Sequence, residues 1–130
     1  MKIRKKRERA KVKAYVANNL LTISLDGRFN EKDGLRLEKT VEEKLPMLTH
    51  GFRLLNDMTK LKEMAPQAYS SHQRIMNMCD MAGVTKIARV YGKKSEKTEF
   101  NIMTDFYYDN KVGIGSFNTV PDALDYLLKQ

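Results

Sequence analysis

Asp57, His72 and Cys79 are the side chains of this sequence whose types suit acid–base, nucleophilic or phosphotransfer chemistry. His72 and Cys79 stand seven positions apart on a predicted helix, which puts them on one face but about 10 Å from each other at about 1.5 Å per residue. Direct proton transfer within a thiol–imidazole pair needs about 3 Å. We therefore expect both side chains to pack against a sheet rather than to form a nucleophilic pair.

Asp57 follows an apolar run, where a carboxylate at a strand end can accept phosphate or hold a metal. A phosphotransfer site of that kind also needs a second acidic group for Mg²⁺ and a lysine after a later strand. Asp26 supplies one further acid, and the segment Ser116–Thr119 supplies no lysine. The alternative is that Asp57 accepts backbone N–H bonds and shapes the following loop.

Two isolated histidines and one distant cysteine lack the spacing of a metal site. No nucleophile–base pair occurs at a workable spacing either. We therefore predict a protein that is not an enzyme, with no catalytic residues, no metal and no cofactor.

The composition is that of one globular domain, with 130 residues of which 42% are hydrophobic and 31% charged. No apolar run reaches the roughly 18 residues needed to span a bilayer, and no apolar segment follows the charged N-terminus as in a secretory signal. Cys79 is the only cysteine, which excludes an intrachain disulfide and fits a reducing compartment. We expect a cytoplasmic protein.

The positive charge is concentrated at the N-terminus. Residues 1–14 contain eight basic side chains against Glu8 alone, so they carry +7 of the net charge of +8. We predict a basic arm at residues 1–10 and a single domain at residues 11–130. The arm suggests an alternative function, contact with nucleic acid or an anionic membrane, with the candidates Arg4, Lys5, Lys6, Arg7 and Arg9. It can equally be a solvated tail, because no aromatic residue is interleaved to stack on bases.

The first half of the domain contains signals for a hairpin and a helix. Alternating apolar residues on both sides of Asn18–Asn19 predict a β-hairpin, because Asn tolerates the positive φ of a tight turn. Asp26–Gly27 then ends or kinks the second strand. Asn30 is the predicted N-cap of the first helix, and Pro46 kinks or shortens that helix near its end.

The middle of the chain gives the predicted binding site. Phe52–Asp57 reads as a short buried strand, Met58–Met64 as a polar loop, and Pro66 as the first turn of a helix that Gly83 ends. Ligands and partners of open α/β sheets meet the chain just beyond the carboxyl ends of strands. We therefore expect a protein partner or a small ligand at this corner. The candidate contact residues are Asp57, Met58, Thr59, Lys60, Met64, Gln67, Ser70 and Ser71, with the methionines supplying apolar contact.

The last part of the chain continues the alternation of strands and helices. We predict a strand at Lys86–Tyr91, a helix from Ser95, a strand at Val112–Phe117 and a helix capped by Thr119. The full order is β-β-α-β-α-β-α-β-α. It predicts an α/β fold in which an N-terminal β-hairpin leads into a mixed, mostly parallel sheet with four helices.

Three segments, Leu25–Phe29, Arg53–Leu61 and Ser116–Leu124, together with this element order, resemble the STAS domain family. These are the sulfate-transporter and anti-sigma-factor-antagonist domains. The three segments are similar to the family's entry to the first helix, its central strand, and its closing strand and helix. The resemblance covers roughly residues 11 to 129 and implies a STAS-like fold and a regulatory, protein-binding role.

One departure from the family pattern concerns phosphorylation. Members that a kinase switches carry a serine at the start of the helix after the central strand, where phosphate disrupts docking. The matching stretch here is Met64–Gln67, which contains no hydroxyl. We therefore predict a module that is not a phospho-switched antagonist of that type. A homodimer stays an open alternative at this point.

Overall fold

The computed structural model describes residues 9–91 and 111–129, which form an α/β domain around a five-stranded mixed sheet. The strands follow one another across the sheet in chain order. They are β1 (Ala10–Tyr15), β2 (Leu20–Phe29), β3 (Arg53–Met64), β4 (Lys86–Tyr91) and β5 (Gly113–Phe117). The helices are α1 (Glu31–Lys44), α2 (Tyr69–Met81) and α3 (Val120–Leu128).

The strand directions confirm the predicted hairpin and mostly parallel sheet. β1 pairs with β2 in antiparallel orientation, and each later neighbouring pair is parallel. The described residues contain three helices, so the predicted four-helix order is not matched. The helix predicted from Ser95 falls in 92–110, outside the described residues.

Several short-range signals act as predicted. Asn19 closes the hairpin turn with a φ of 50°. Gly27 kinks β2 without ending it, and its φ of +68° lies beside two shifts in the pairing register with β3. Asn30 caps α1: its side chain accepts a hydrogen bond from the N–H of Asp33, and the Asp33 carboxylate accepts one from the N–H of Asn30. Pro46 lies in a 3₁₀ turn that follows α1, which ends at Lys44.

The prediction of a loop at Met58–Met64 is wrong, because β3 extends through the whole segment. β3 pairs with β4 only as far as Met58, but it continues beside β2 as far as Met64. At each of two register shifts β3 contains one more residue than β2, as in a β-bulge. Buried residues therefore recur every third position, at Met58, Leu61 and Met64. A strand is recognised in a sequence by apolar residues at every second position, so this spacing does not predict one.

Two hydrophobic clusters lie on opposite faces of the sheet. The larger cluster lies between the sheet and the helices α1 and α2, and includes Leu21, Val41 and Met58. The smaller one packs α3 against β3, β4 and β5 through residues such as Leu55 and Leu127. On the α3 side, no helix of residues 9–91 and 111–129 packs over β1. Among these residues, the α3 side of the sheet is therefore covered over β3, β4 and β5 but not over β1.

Candidate functional site

Asp57 lies on the α3 side of the sheet, on the strand that separates the hairpin from β4 and β5. The pairing registers align Lys11, Ser24, Asp57, Val90 and Phe117 in one row across the five strands. Val90 and Phe117 belong to the cluster that packs on α3. Lys11 is exposed and Ser24 is half-buried. The row therefore changes from apolar to polar at Asp57.

A cavity of about 250 Å³, which we call the polar cleft, opens at this boundary, where β2 and β3 pass the end of β4. Its polar lining combines three cations, two acids and two hydroxyls: Arg9, Lys11, Lys60, Asp26, Asp57, Ser24 and Thr59. Mixed charges and hydroxyl groups favour a polar ligand or a polar segment of a partner over an apolar molecule.

The Asp57 carboxylate accepts hydrogen bonds from a residue of its own strand. Oδ1 of Asp57 accepts hydrogen bonds from the backbone N–H of Thr59 at 3.0 Å and from the Thr59 hydroxyl at 2.7 Å. These bonds confirm the interpretation in which Asp57 shapes the segment that follows it. They also fix the orientation of Thr59 at the edge of the polar cleft.

The predicted candidate residues divide into an exposed and a buried set. Thr59, Lys60, Gln67 and Ser70 are exposed, and we call this set the corner surface; Asp57 is half-buried and lines the polar cleft with Thr59 and Lys60. Met58, Met64 and Ser71 are only 0%, 3% and 1% exposed. The prediction that these three contribute to a contact surface is therefore wrong, because the methionines point into the core and Ser71 lies between helices.

Close packing of α1 on α2 explains the burial of Ser71. A Cβ atom added at Gly34 would lie 2.8 Å from both Cβ and Oγ of Ser71, so the missing side chain lets the helices approach. Beside them, Arg74 donates hydrogen bonds of 2.5 and 2.9 Å to the two carboxylate oxygens of Glu38. The Arg74 bonds, with a smaller contribution from Ser71, lower the pKa of Glu38. Ser71 is thus a packing residue.

His72 and Cys79 pack under the sheet, as expected from their spacing. Burial lowers the pKa of His72 to about 4, and the charge of Arg89 acts in the same direction. Burial raises the pKa of the Cys79 thiol to about 12. Neutral imidazole and protonated thiol are thus the forms that the fold favours near neutral pH. Within the described ranges, no three His, Cys, Asp or Glu side chains are placed to hold a metal.

Of the lining of the polar cleft, Asp57, Thr59 and Lys60 were predicted as contact residues and Asp26 as the one further acid, whereas Lys11 and Ser24 were not predicted. Lys11 and Ser24 come from the hairpin, and only the pairing register places them beside β3. The signal that could have found them is the hairpin turn at Asn19, since it fixes which hairpin residues face each other.

Of the basic arm, Arg4, Lys5, Lys6 and Arg7 lie outside the described residues. Arg9 is described, and it lines the polar cleft. In residues 9–91 and 111–129, no helix has the length and apolar character needed to cross a membrane.

No family model and no curated protein matches this sequence. Solved structures do match its fold. An uncharacterised protein of the DUF3478 family from Shewanella loihica, described as having a SpoIIAA-like fold, aligns with a TM-score of 0.67 at 15% identity, over 91% of each chain. The anti-sigma factor antagonist SpoIIAA in its unphosphorylated form aligns with a TM-score of 0.63 at 11% identity, over 93% of this chain and 99% of that one.

A third match comes from the complex of the diguanylate cyclase SiaD with its activator SiaC from Pseudomonas aeruginosa. It has a TM-score of 0.54 at 12% identity and covers 88% of this chain and 97% of the matched chain. At these identities the likeness concerns the fold. It confirms the STAS-like fold that was expected from the three sequence segments.

Proposed function

We propose that this chain is a non-enzymatic regulatory module of the cytoplasm that binds a protein partner, or a small ligand, at its corner surface. The observation that carries the proposal is the polar cleft past the end of β4, which Asp57, Thr59 and Lys60 line in a mostly parallel sheet. Gln67 and Ser70 are exposed on the segment that follows β3. This is the region where open α/β sheets present their binding groups.

The neighbouring structures support a regulatory role by analogy of fold. SpoIIAA is an anti-sigma factor antagonist, and SiaC is the activator of a diguanylate cyclase with which it forms a complex. Both descriptions are of proteins that act on another protein. Fold analogy alone does not assign a partner, so the proposal rests on the corner surface of this chain.

The chemistry of the site supports binding over catalysis. His72 and Cys79 are buried in forms unsuited to acid–base or nucleophilic work, and Asp57 is engaged by Thr59. Met64–Gln67 contains no hydroxyl, which supports a module without the phosphoacceptor of the kinase-switched members. Recognition would instead use the Lys60 ammonium, the Gln67 amide and the Ser70 hydroxyl.

Quantitative affinity capture from the native cell tests the proposal. The test variant combines Lys60→Glu, Gln67→Ala and Ser70→Ala, all at exposed positions. The control is Lys129→Glu, because Lys129 contacts Lys86 at the opposite end of the parallel strands. We expect the wild type and the control to capture the same partner, and the test variant to lose about 90% of it or more, since a tenfold loss is only about 1.4 kcal/mol.

Equal capture by all three proteins would contradict the corner surface as the binding site. The two variants should also unfold at similar urea concentrations, because exposed substitutions usually change stability by less than about 0.5 kcal/mol. This comparison separates loss of binding from loss of fold.

The arm alternative stays a prediction from sequence. Phosphate-driven binding of duplex DNA, RNA or anionic vesicles would weaken steeply between about 50 and 200 mM salt and disappear on deletion of residues 1–8. An absence of binding at low salt would remove this alternative.

A further inference from the structure

The outer edge of β1 offers a second surface, which shares Arg9, Ala10 and Lys11 with the lining of the polar cleft. β1 is an edge strand among the described strands, since the sheet order runs from β1 to β5. A groove of about 370 Å³ lies between this strand and α1, lined on the strand side by Arg9–Lys13. These five residues, the last four of which belong to β1, give roughly 17 Å of edge at about 3.4 Å each. That length suits a short extended segment.

The pairing register shows which backbone groups of β1 point into the groove. The carbonyl of Arg9 accepts a hydrogen bond from the N–H of Asp26, so Arg9 belongs to the set whose backbone bonds to β2. Such residues alternate in an antiparallel pair. Lys11 and Lys13 therefore also turn their backbone groups toward β2, while Ala10, Val12 and Ala14 turn theirs outward.

The side chains around the groove carry a net positive charge. Arg9, Lys11, Lys13 and Arg36 line it, and Asp33 is the one acid among the described residues of the lining. Leu37 and Val12 add apolar surface. Lysines on an edge strand disfavour pairing with a second copy of the same strand, because like charges would face each other. An acidic strand has the complementary charge.

We propose that the β1 edge binds an extended acidic segment of a partner protein by adding it to the sheet as a further strand. The N–H and C=O groups of Ala10, Val12 and Ala14 would pair with its backbone, which is how strand addition gains affinity. The basic side chains of the groove would select glutamate or aspartate. A nucleic-acid backbone would use the cations but would leave the outward N–H and C=O groups without partners of matching geometry, so the observations favour a peptide.

Backbone hydrogen exchange measured by NMR tests this placement on the full chain. The probe is a capped peptide of alternating glutamate and valine. In the free protein, the amides of Ala10, Val12 and Ala14 should exchange fast and those of Lys11 and Lys13 slowly; the peptide should slow the first group at least about tenfold. Slow exchange of the first group without peptide, or no change with it, would overturn the proposal.

Two variants test the chemistry of the groove. Val12→Pro removes one outward N–H without removing a β1–β2 hydrogen bond, and an edge strand tolerates proline at such a position. Lys13→Glu with Arg36→Glu reverses the charge of the groove alone, since neither residue lines the polar cleft. Each should weaken peptide binding by about tenfold or more, and Lys129→Glu should leave it unchanged.

A lysine–valine peptide should fail to bind. Unchanged affinity in the charge-reversal variant, or binding of duplex DNA or anionic phosphatidylserine vesicles at this groove in place of the acidic peptide, would overturn the proposal. Because the corner surface is unaltered in these variants, failure here leaves the proposed function intact.

Discussion

At the scale of single residues, burial decides what the suggestive side chains do. His72 is 6% exposed and faces the α1–α2 side of the sheet, where Arg89 adds positive charge. Met58 and Ser71 look like surface groups by their place in the sequence but lie inside. Residue types alone could predict the chemistry that each side chain is capable of, whereas its access to solvent depends on contacts from distant segments.

The lowered pKa of His72 predicts a pH-dependent stability. Its pKa is about 4 in the folded protein against the ordinary value of 6.5, so the folded state disfavours protonation. The contribution of neutral His72 to the free energy of unfolding is therefore complete above pH 6.5. It is lost as the pH falls toward 4, at up to roughly 1.4 kcal/mol per pH unit. In urea unfolding at pH 7, 6 and 5, the free energy of unfolding should fall less steeply with decreasing pH in His72→Gln than in the wild type.

His50→Gln is the matched control, because His50 is the other histidine and is exposed. Its decline should follow that of the wild type. Identical declines in wild type and His72→Gln would show that His72 takes up no proton in this range on unfolding.

At the scale of elements, the sequence predicted the helix caps and turns correctly, but it did not predict the length of β3. The capping box at Asn30 and the left-handed Gly83, with a φ of +94°, depend on neighbours within a few residues. β3 depends instead on its pairing with the second half of β2, where two bulges break the alternation. The segment Met58–Met64 was therefore predicted as a loop although it belongs to a strand.

The contact between α1 and α2 gives an element-scale prediction at Gly34. Alanine normally stabilises a helix interior relative to glycine by about 1 kcal/mol. Here its methyl group would lie 2.8 Å from Ser71. We expect Gly34→Ala to destabilise the domain by about 1–3 kcal/mol through overpacking, measured by urea unfolding.

The double variant Gly34→Ala with Ser71→Gly removes the facing side chain. The cost of the Gly34 substitution should fall in that background, which a double-mutant cycle measures. If Gly34→Ala stabilises the domain in the wild-type background, the space between α1 and α2 accommodates the added methyl group and the prediction is wrong.

At the scale of the whole molecule, the polar cleft and the groove between β1 and α1 both lie at the hairpin side of the sheet. α3 contacts β3, β4 and β5, and Asp57 lies on β3, the strand next to the hairpin. The alternation of strands and helices predicted this architecture correctly, with an antiparallel hairpin joined to a parallel sheet. It did not predict which strands α3 covers, because that depends on tertiary packing of residues such as Leu55 and Leu127.

If the corner surface recognises a partner without transforming it, this surface should lose access to solvent when the partner binds. The most direct measurement is hydrogen–deuterium exchange, read by mass spectrometry, of the purified protein alone and bound to the partner that affinity capture identifies. We expect protection in peptides that span residues 57–71, while peptides from α3 keep their exchange rates. Protection absent from residues 57–71, with the partner bound, would contradict it.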